Sequence, residues 1–175
     1  MDLRELKREV EALPSLAETS QKLLQKVRLL SNFSPELQKE IDVKKKVMQH
    51  HIEEMAVAEH IRQRLQQQAR LVVELKLAAL QQDREKAGLI KEQLLHDEWC
   101  NFSYTLEQIK GLEQQAARLC VFYYDFSDFM QKNASLEHSL AFMEEQKAMK
   151  EMVAVIKLYK KLAFQLGKEF VNLAR

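Results

Sequence analysis

An all-α fold, an elongated coiled-coil helix leading into an antiparallel helical hairpin or bundle, is what three features of this chain predict. Only three Gly and two Pro occur in 175 residues, so turns are scarce and the elements must be few and long. The residue choice favours Leu, Gln, Glu, Lys and Ala, all good helix formers, and β-branched runs bounded by Gly or Pro are missing. Apolar side chains also recur at spacings of three and four along most of the chain, which places them on one face of a helix.

Residues 1–34 form the first predicted segment. Leu3, Leu6, Val10 and Leu13, then Leu16, Leu23 or Leu24, Val27 and Leu30 make an amphipathic stripe. Pro14 interrupts it, because proline lacks an amide hydrogen and clashes with the preceding turn. The expectation is a helix in two pieces. Ser34-Pro35-Glu36 then announces a new helix: the serine caps free amides, the proline fits the first helical position, and the glutamate favours the positive helix start.

From there, residues 35–98 are expected to form one continuous coiled-coil rod, roughly 95 Å long at 1.5 Å per residue. The alternative is a fold-back within residues 82–88, but Gly88 is the single weak helix former there and costs only about 1 kcal/mol. The apolar seam runs Leu37, Ile41, Met48, Ile52, Met55 and resumes out of phase at Ile61, Leu65, Val72, Leu75. The slip around residues 56–59 resembles a stammer. This stripe is narrow and carries no aromatic, so it calls for helical partners, either residues 1–31 folding back or a second chain.

Asn101-Phe102-Ser103 and Asn133-Ala134-Ser135 read as punctuation, with Asn ending one helix and Ser capping the next. Residues 99–175 thereby become an aromatic-rich antiparallel hairpin of helices at about 104–131 and 136–174. Twelve of the thirteen aromatic residues lie here, so the thick core is expected in this part. The last helix has a heptad, with Phe142, Met149, Ile156, Ala163 and Phe170 at one seam position and Met152, Tyr159, Leu166 and Leu173 at the other. Its expected mate is the apolar run 119–130, through Phe122, Tyr123, Phe126 and Phe129. Val121 and Tyr124 point away from that mate and call for a second neighbour.

Chemistry is sparse. Helical bundles that hold di-iron centres use Glu-x-x-His pairs, and none of the five histidines has a Glu three residues before it. His50, His51, Glu53, Glu54 and His60 are the densest ligand-like group, but they sit beside Lys44, Lys45 and Lys46 on a polar face, so solvated surface is the expectation there. There is no glycine-rich phosphate loop, nucleophile elbow, Cys-x-x-Cys or His-Glu-x-x-His. No enzyme activity, cofactor or metal is expected. Cys100 and Cys120 are read as reduced thiols.

Net charge is +1, which argues against a dedicated nucleic-acid binder. Its distribution is uneven: residues 88–145 hold four Lys/Arg against ten Asp/Glu, and residues 146–175 hold seven against two. No apolar run approaches the roughly 20 residues that a bilayer span needs. The opening residues mix both charge signs without an apolar core, so no secretory signal is expected and the default setting is cytoplasmic, with the nucleus as the alternative. The function expected is a structural, scaffolding coiled-coil protein that mediates protein–protein assembly, as a homodimer or as a subunit of a helical hetero-complex. Its partner-binding seam would be the rod stripe, and Phe122, Tyr123, Tyr124, Phe126, Phe129, Phe142, Met149 and Ile156 would form the bundle core or the contact with a second neighbour. The alternative is a peripheral membrane-binding or membrane-shaping dimer that meets anionic lipid through Lys147, Lys150, Lys157, Lys161 and Lys168.

Overall fold

The computed structural model describes residues 2–28, 33–133 and 136–174, and within them the side chains other than those of Lys26 and residues 136–146. Seven helices and no strand occur among the described residues: α1 (Leu3–Glu11), α2 (Leu16–Arg28), α3 (Pro35–Glu54), α4 (Val57–Leu80), α5 (Arg84–His96), α6 (Phe102–Asn133) and α7 (Leu136–Ala174). The all-α bundle read from composition is the fold. The contiguous division at residues 34 and 98 is not how its contacts group. Two units form instead, one from Met1–Pro14, Glu59–Gly111 and Val155–Arg175, the other from Ser15–Ala58 and Leu112–Ala154.

Local signals explain most helix ends. Asp2 caps α1 by accepting from the amides of Arg4 and Glu5 at 2.6 and 3.1 Å, and these bonds hold its carboxyl below the usual range. The predicted break at Pro14 separates α1 from α2 and is also where the first unit gives way to the second. Ser34 caps α3 through the Leu37 amide at 3.4 Å, with Pro35 in the first turn as its sequence required. Leu30, which carried the end of the first stripe, and Ala134 and Ser135, which carried part of the punctuation reading, lie outside the described residues.

The rod expected over residues 35–98 is three helices. Its first break is at Met55, where the amides of Met55, Ala56 and Ala58 bond three residues back rather than four, to Ile52, Glu53 and Met55. Tightening a turn in this way rotates the helix that follows, which absorbs the phase slip that the sequence shows as a stammer. The second break is a reversal. Gln82 takes a left-handed φ of 59°, the Gln82 amide bonds to Ala79 O and the Asp83 amide bonds to Ala78 O, the hydrogen-bond pair of a Schellman motif. Asp83 at once caps α5 by accepting from the Lys86 amide at 3.1 Å. The chain therefore turns six residues before Gly88, at a residue whose left-handed conformation has no glycine to announce it.

In the first unit this reversal lays α5 back along α4. Gln68, fully buried on α4, donates to Cys100 O at 3.0 Å and to Thr105 Oγ1 at 2.9 Å. One turn earlier the Arg64 guanidinium lies between the rings of Trp99 and Tyr104, 4.7 and 4.4 Å from their centroids, and reaches Glu98 O at 3.5 Å. On α1's side, Arg62 and Gln66 donate to Leu13 O and Glu11 O, both at 3.4 Å. The Tyr159 hydroxyl of α7 donates to Pro14 O at 2.7 Å. Leu6, Val10, Ile61, Leu65, Val72, Leu75, Leu94, Ile109, Leu162 and Leu166 fill the interior.

In the second unit α2 packs on α3, and Lys45 donates to Arg28 O at 3.1 Å. The core holds Leu23, Val27, Ile41, Met48, Ile52, Met55, Leu119, Tyr123, Phe126, Met130, Met149 and Met152. The α7 heptad is buried at each described position except Leu173, which is half-buried; this covers Met149, Met152, Ile156, Tyr159, Ala163, Leu166 and Phe170, while Phe142 lies outside the described side chains.

Two predictions follow from these packing arguments. Left-handed φ costs a residue with a Cβ about 1 to 2 kcal/mol, of which glycine's extra freedom in the unfolded chain returns roughly half. Gln82→Gly is therefore expected to stabilise by roughly 0.5 to 1 kcal/mol and raise the melting temperature by a few degrees, and Gln82→Val to lower it; scanning calorimetry on the three chains checks the order. Burial pushes the Tyr159 phenol up to about 12. Because its folded value lies above the ordinary 10, the contribution is complete below pH 10 and is lost as pH rises through about 12. Denaturant midpoints taken from pH 8 to 12 should fall across that window in the native chain and fall less in Tyr159→Phe.

Candidate functional site

Backbone and side-chain satisfaction leaves the described residues with no group of three or more His, Cys, Asp or Glu placed to hold a metal ion. His50 and His51 both reach one carboxylate, Glu54, at 2.8 and 3.7 Å. Here the two histidines serve different contacts. His50 is exposed, whereas the ring of His51 stacks on Phe122 with centroids 4.6 Å apart and planes 21° from parallel. Cys100 and Cys120 are free cysteines, and burial pushes each thiol up. Among the described residues, two places combine exposed apolar side chains with a cleft or groove.

The first place is in the second unit. On α6, Val121, Phe122 and Tyr124 are 61%, 40% and 47% exposed, while Tyr123 and Phe126 between and beyond them are buried. Successive residues on a helix step by 100°, so this alternation is what a helix with only one covered flank produces. Beside Phe122, a shallow cleft of about 210 Å³ opens against α3, lined by Val43, Lys44, Val47, Met48, Asp125 and Phe126. Lys44 stands over the Phe129 ring at 4.8 Å from its centroid, which leaves Phe129 half-buried. The cleft thus has an aromatic floor with one lysine and one aspartate at its edge.

The second place is in the first unit. The C-terminal turns of α5, the first turns of α6 and the C-terminal part of α7 enclose three sides of an open groove of about 660 Å³. Its shape depends on the connection between α5 and α6. Asn101 Oδ1 accepts from the Tyr104 amide at 3.1 Å and caps α6, while its Nδ2 donates back to Leu95 O at 2.7 Å. Phe102 then meets Phe170 of α7, centroids 5.4 Å apart. Leu95, Phe164 and Val171 stay about half exposed along the groove.

Several sequence-based expectations need correction here. The rod seam proposed for partner pairing is inside the chain's own cores: Ile41, Met48, Ile52, Met55, Ile61, Leu65, Val72 and Leu75 are each 2% exposed or less, and Leu37 is half-buried. A stripe too narrow to build a core alone is covered because the rod breaks and reverses, giving each piece neighbours from the same chain. Of the residues assigned to the bundle core or a second-neighbour contact, Tyr123 and Phe126 are buried and Phe129 is half-buried, while Tyr124 is exposed and Phe122 is exposed with its ring against His51. Met149 and Ile156 are buried as assigned. Asn101, read as the end of a helix with Ser103 as the next cap, is itself the cap, and Ser103 sits in the first turn of α6. The groove was missed altogether, because its walls come from residues about 60 to 75 positions apart, and only the excess of apolar residues outside the α7 heptad, Phe164 and Val171, signalled it.

Comparison with known protein families, curated proteins and solved structures finds no match for this chain. No helix among the described residues is long and apolar enough to cross a membrane.

Core and surface aromatics in one run should respond oppositely to truncation. Phe126→Ala is expected to cost about 3 to 5 kcal/mol, as full-depth cavities do, whereas Tyr124→Ser should change stability by no more than about 0.5 kcal/mol. Circular-dichroism melts of the two variants decide it; equal losses would mean that Tyr124 is core.

Proposed function

We propose that this chain is a structural component of a protein assembly, acting through helical surface contacts rather than through chemistry. The observation that carries the reading is the exposed set Val121, Phe122 and Tyr124 around the α3 cleft. Scattered single apolar residues on a surface are ordinary, but adjoining aromatics with a cleft beside them favour a contact that excludes water. Aromatic side chains supply much of the affinity at protein interfaces, because they bury a large area with few rotatable bonds. The partner is a second copy of the chain or another helical subunit. The coiled-coil seam is not the contact in this reading, since its residues are used internally. Two thiols that stay free fit a cytoplasmic or nuclear setting, where such groups remain reduced.

A second reading is favoured by one feature of α7. Lys157, Lys161 and Lys168 share an exposed stripe with Phe164 and Val171, a combination that also suits a peripheral membrane surface with anionic lipid. Nucleic acid is disfavoured, because the described aromatics of α7 other than Phe164 are buried, and base stacking needs open rings.

Sedimentation velocity of the purified chain, together with affinity purification of the tagged chain from its own cells, tests the first reading. Self-association or a stoichiometric co-purifying protein is expected, and Val121→Asp with Tyr124→Asp should remove it while the melt is kept. A monomer that brings no stoichiometric protein with it would end the reading. Co-sedimentation with phosphatidylserine vesicles at low salt tests the second: binding that disappears with Lys161→Glu and Lys168→Glu supports it, and no binding at low salt removes it.

A further inference from the structure

The open groove of the first unit has features that the aromatic surface of the second lacks, and they specify an occupant. Its walls are α-helical, so no free backbone edge is offered to an incoming strand. It is open along its length instead of enclosed, which suits a rod of side chains laid into it better than a buried acyl chain or small ligand. On the α7 wall, Gly167 sits between Ala163 and Phe170, and a Cβ placed on Gly167 would meet nothing within 4 Å. Nothing among the described residues therefore requires glycine there, although glycine weakens the middle of a helix. Gly167 is part of the groove wall, so a side chain added there would enter the space of the groove.

Charge supplies the second, independent observation. Lys157, Lys161, Phe164, Lys168 and Val171 recur at spacings of four, three, four and three and are all exposed on one stripe of α7, of which Phe164, Lys168 and Val171 line the groove and Lys161 stands one turn before Phe164. Residues 155–175 carry five Lys/Arg, namely Lys157, Lys160, Lys161, Lys168 and Arg175, against the single acidic Glu169. Among the described residues no carboxylate lies within ion-pair distance of Lys157, Lys161 or Lys168. The opposite wall does not share this bias: residues 84–101 hold three Lys/Arg against four Asp/Glu. The α7 wall brings Lys168 to the groove, whereas Leu94, Leu95, Asn101, Phe102, Ser103 and Leu106 opposite it carry no charge.

We propose that this groove receives an amphipathic helix of a partner protein, with its apolar face seated over Gly167 and its acidic side chains lying along the α7 lip. The apolar anchors, at spacings of three or four, meet Leu95, Phe102, Leu106 and Phe164 and supply the affinity. Asp or Glu on one flank meets Lys161 and Lys168. Those pairs are exposed and screened, so they select and orient the helix more than they hold it. This inference rests on the reading of the chain as an assembly component, but it uses a different surface.

The test uses the full chain and a fluorescent probe peptide of about 18 residues, roughly five helical turns. The peptide carries Leu at positions three and four apart on one face and Glu along one flank; a control peptide has Lys in place of Glu. Anisotropy should show saturable binding of the acidic peptide and binding of the control weaker by about tenfold or more. Gly167→Leu, which fills the groove, should weaken acidic-peptide binding by about tenfold or more, with Gly167→Ala intermediate; melts establish that both chains fold. Lys161→Glu with Lys168→Glu should reverse the peptide preference. The inference is overturned by no binding of the acidic peptide at about 1 mM, the weak end of measurable affinity, by equal binding of both peptides, or by a Gly167→Leu chain that binds as the native one does. It is also overturned if Gly167→Leu abolishes vesicle binding or self-association while peptide binding persists, because the occupant would then be a membrane or a second copy. Loss of peptide binding alone leaves intact any assembly that depends on Val121 and Tyr124, so the two readings fail separately.

Discussion

The reversal at Gln82 is the constraint on which the first unit depends. If α4 ran straight on into α5, residues 98–105 would lie far from Arg64 and Gln68, and the seam of α4 would need a foreign cover. Because the chain turns, Gln68 reaches Cys100 and Thr105, and Arg64 fits between Trp99 and Tyr104. The contacts then hold the connection that sets the groove's end wall. One residue in a left-handed conformation, backed by two backbone hydrogen bonds and a capping aspartate, converts a partner-seeking rod into an internally satisfied hairpin.

The class of fold and most of the packing periodicity were legible in the residues. Ser34-Pro35 marked a helix start and Pro14 a break, because both act through the local backbone. The α7 heptad marked its own buried face, since a side chain's position on a helix follows from its number. The reversal was less legible. Gly88 drew attention as the weak helix former, yet a Schellman turn needs only that something at C′ tolerate positive φ, and Gln82 does so with no compositional signal. The phase slip at residues 56–59 was visible, but its meaning as a break between helices depended on what the next helix packs against.

For the open surfaces, legibility followed the same line. Val121 and Tyr124 could be placed on the uncovered side of α6 by angle alone, and the structure leaves both exposed. For Phe122 the angle lies near the border of the covered sector, and the contact with His51, 71 positions earlier in the chain, was not legible from it. The groove between α5, α6 and α7 is a property of three segments together and had no local counterpart. The two surfaces also differ in chemistry. One has an aromatic floor with mixed charge at its rim; the other is apolar with a cationic lip, so they suit different neighbours.

The bond from Tyr159 to Pro14 spans 145 positions of the chain, and the first unit draws on the beginning, the middle and the end of the sequence. During synthesis, α1 therefore waits for the part of α7 that follows it by some 145 positions. At about 5 to 20 residues per second, α1 spends on the order of ten seconds with its buried stripe of Leu3, Leu6 and Val10 uncovered. The second unit also needs α6 and part of α7, so neither half has an early refuge. Loss of the last turns of α7 would accordingly remove a wall of the first unit, whereas trimming an unpacked tail does little.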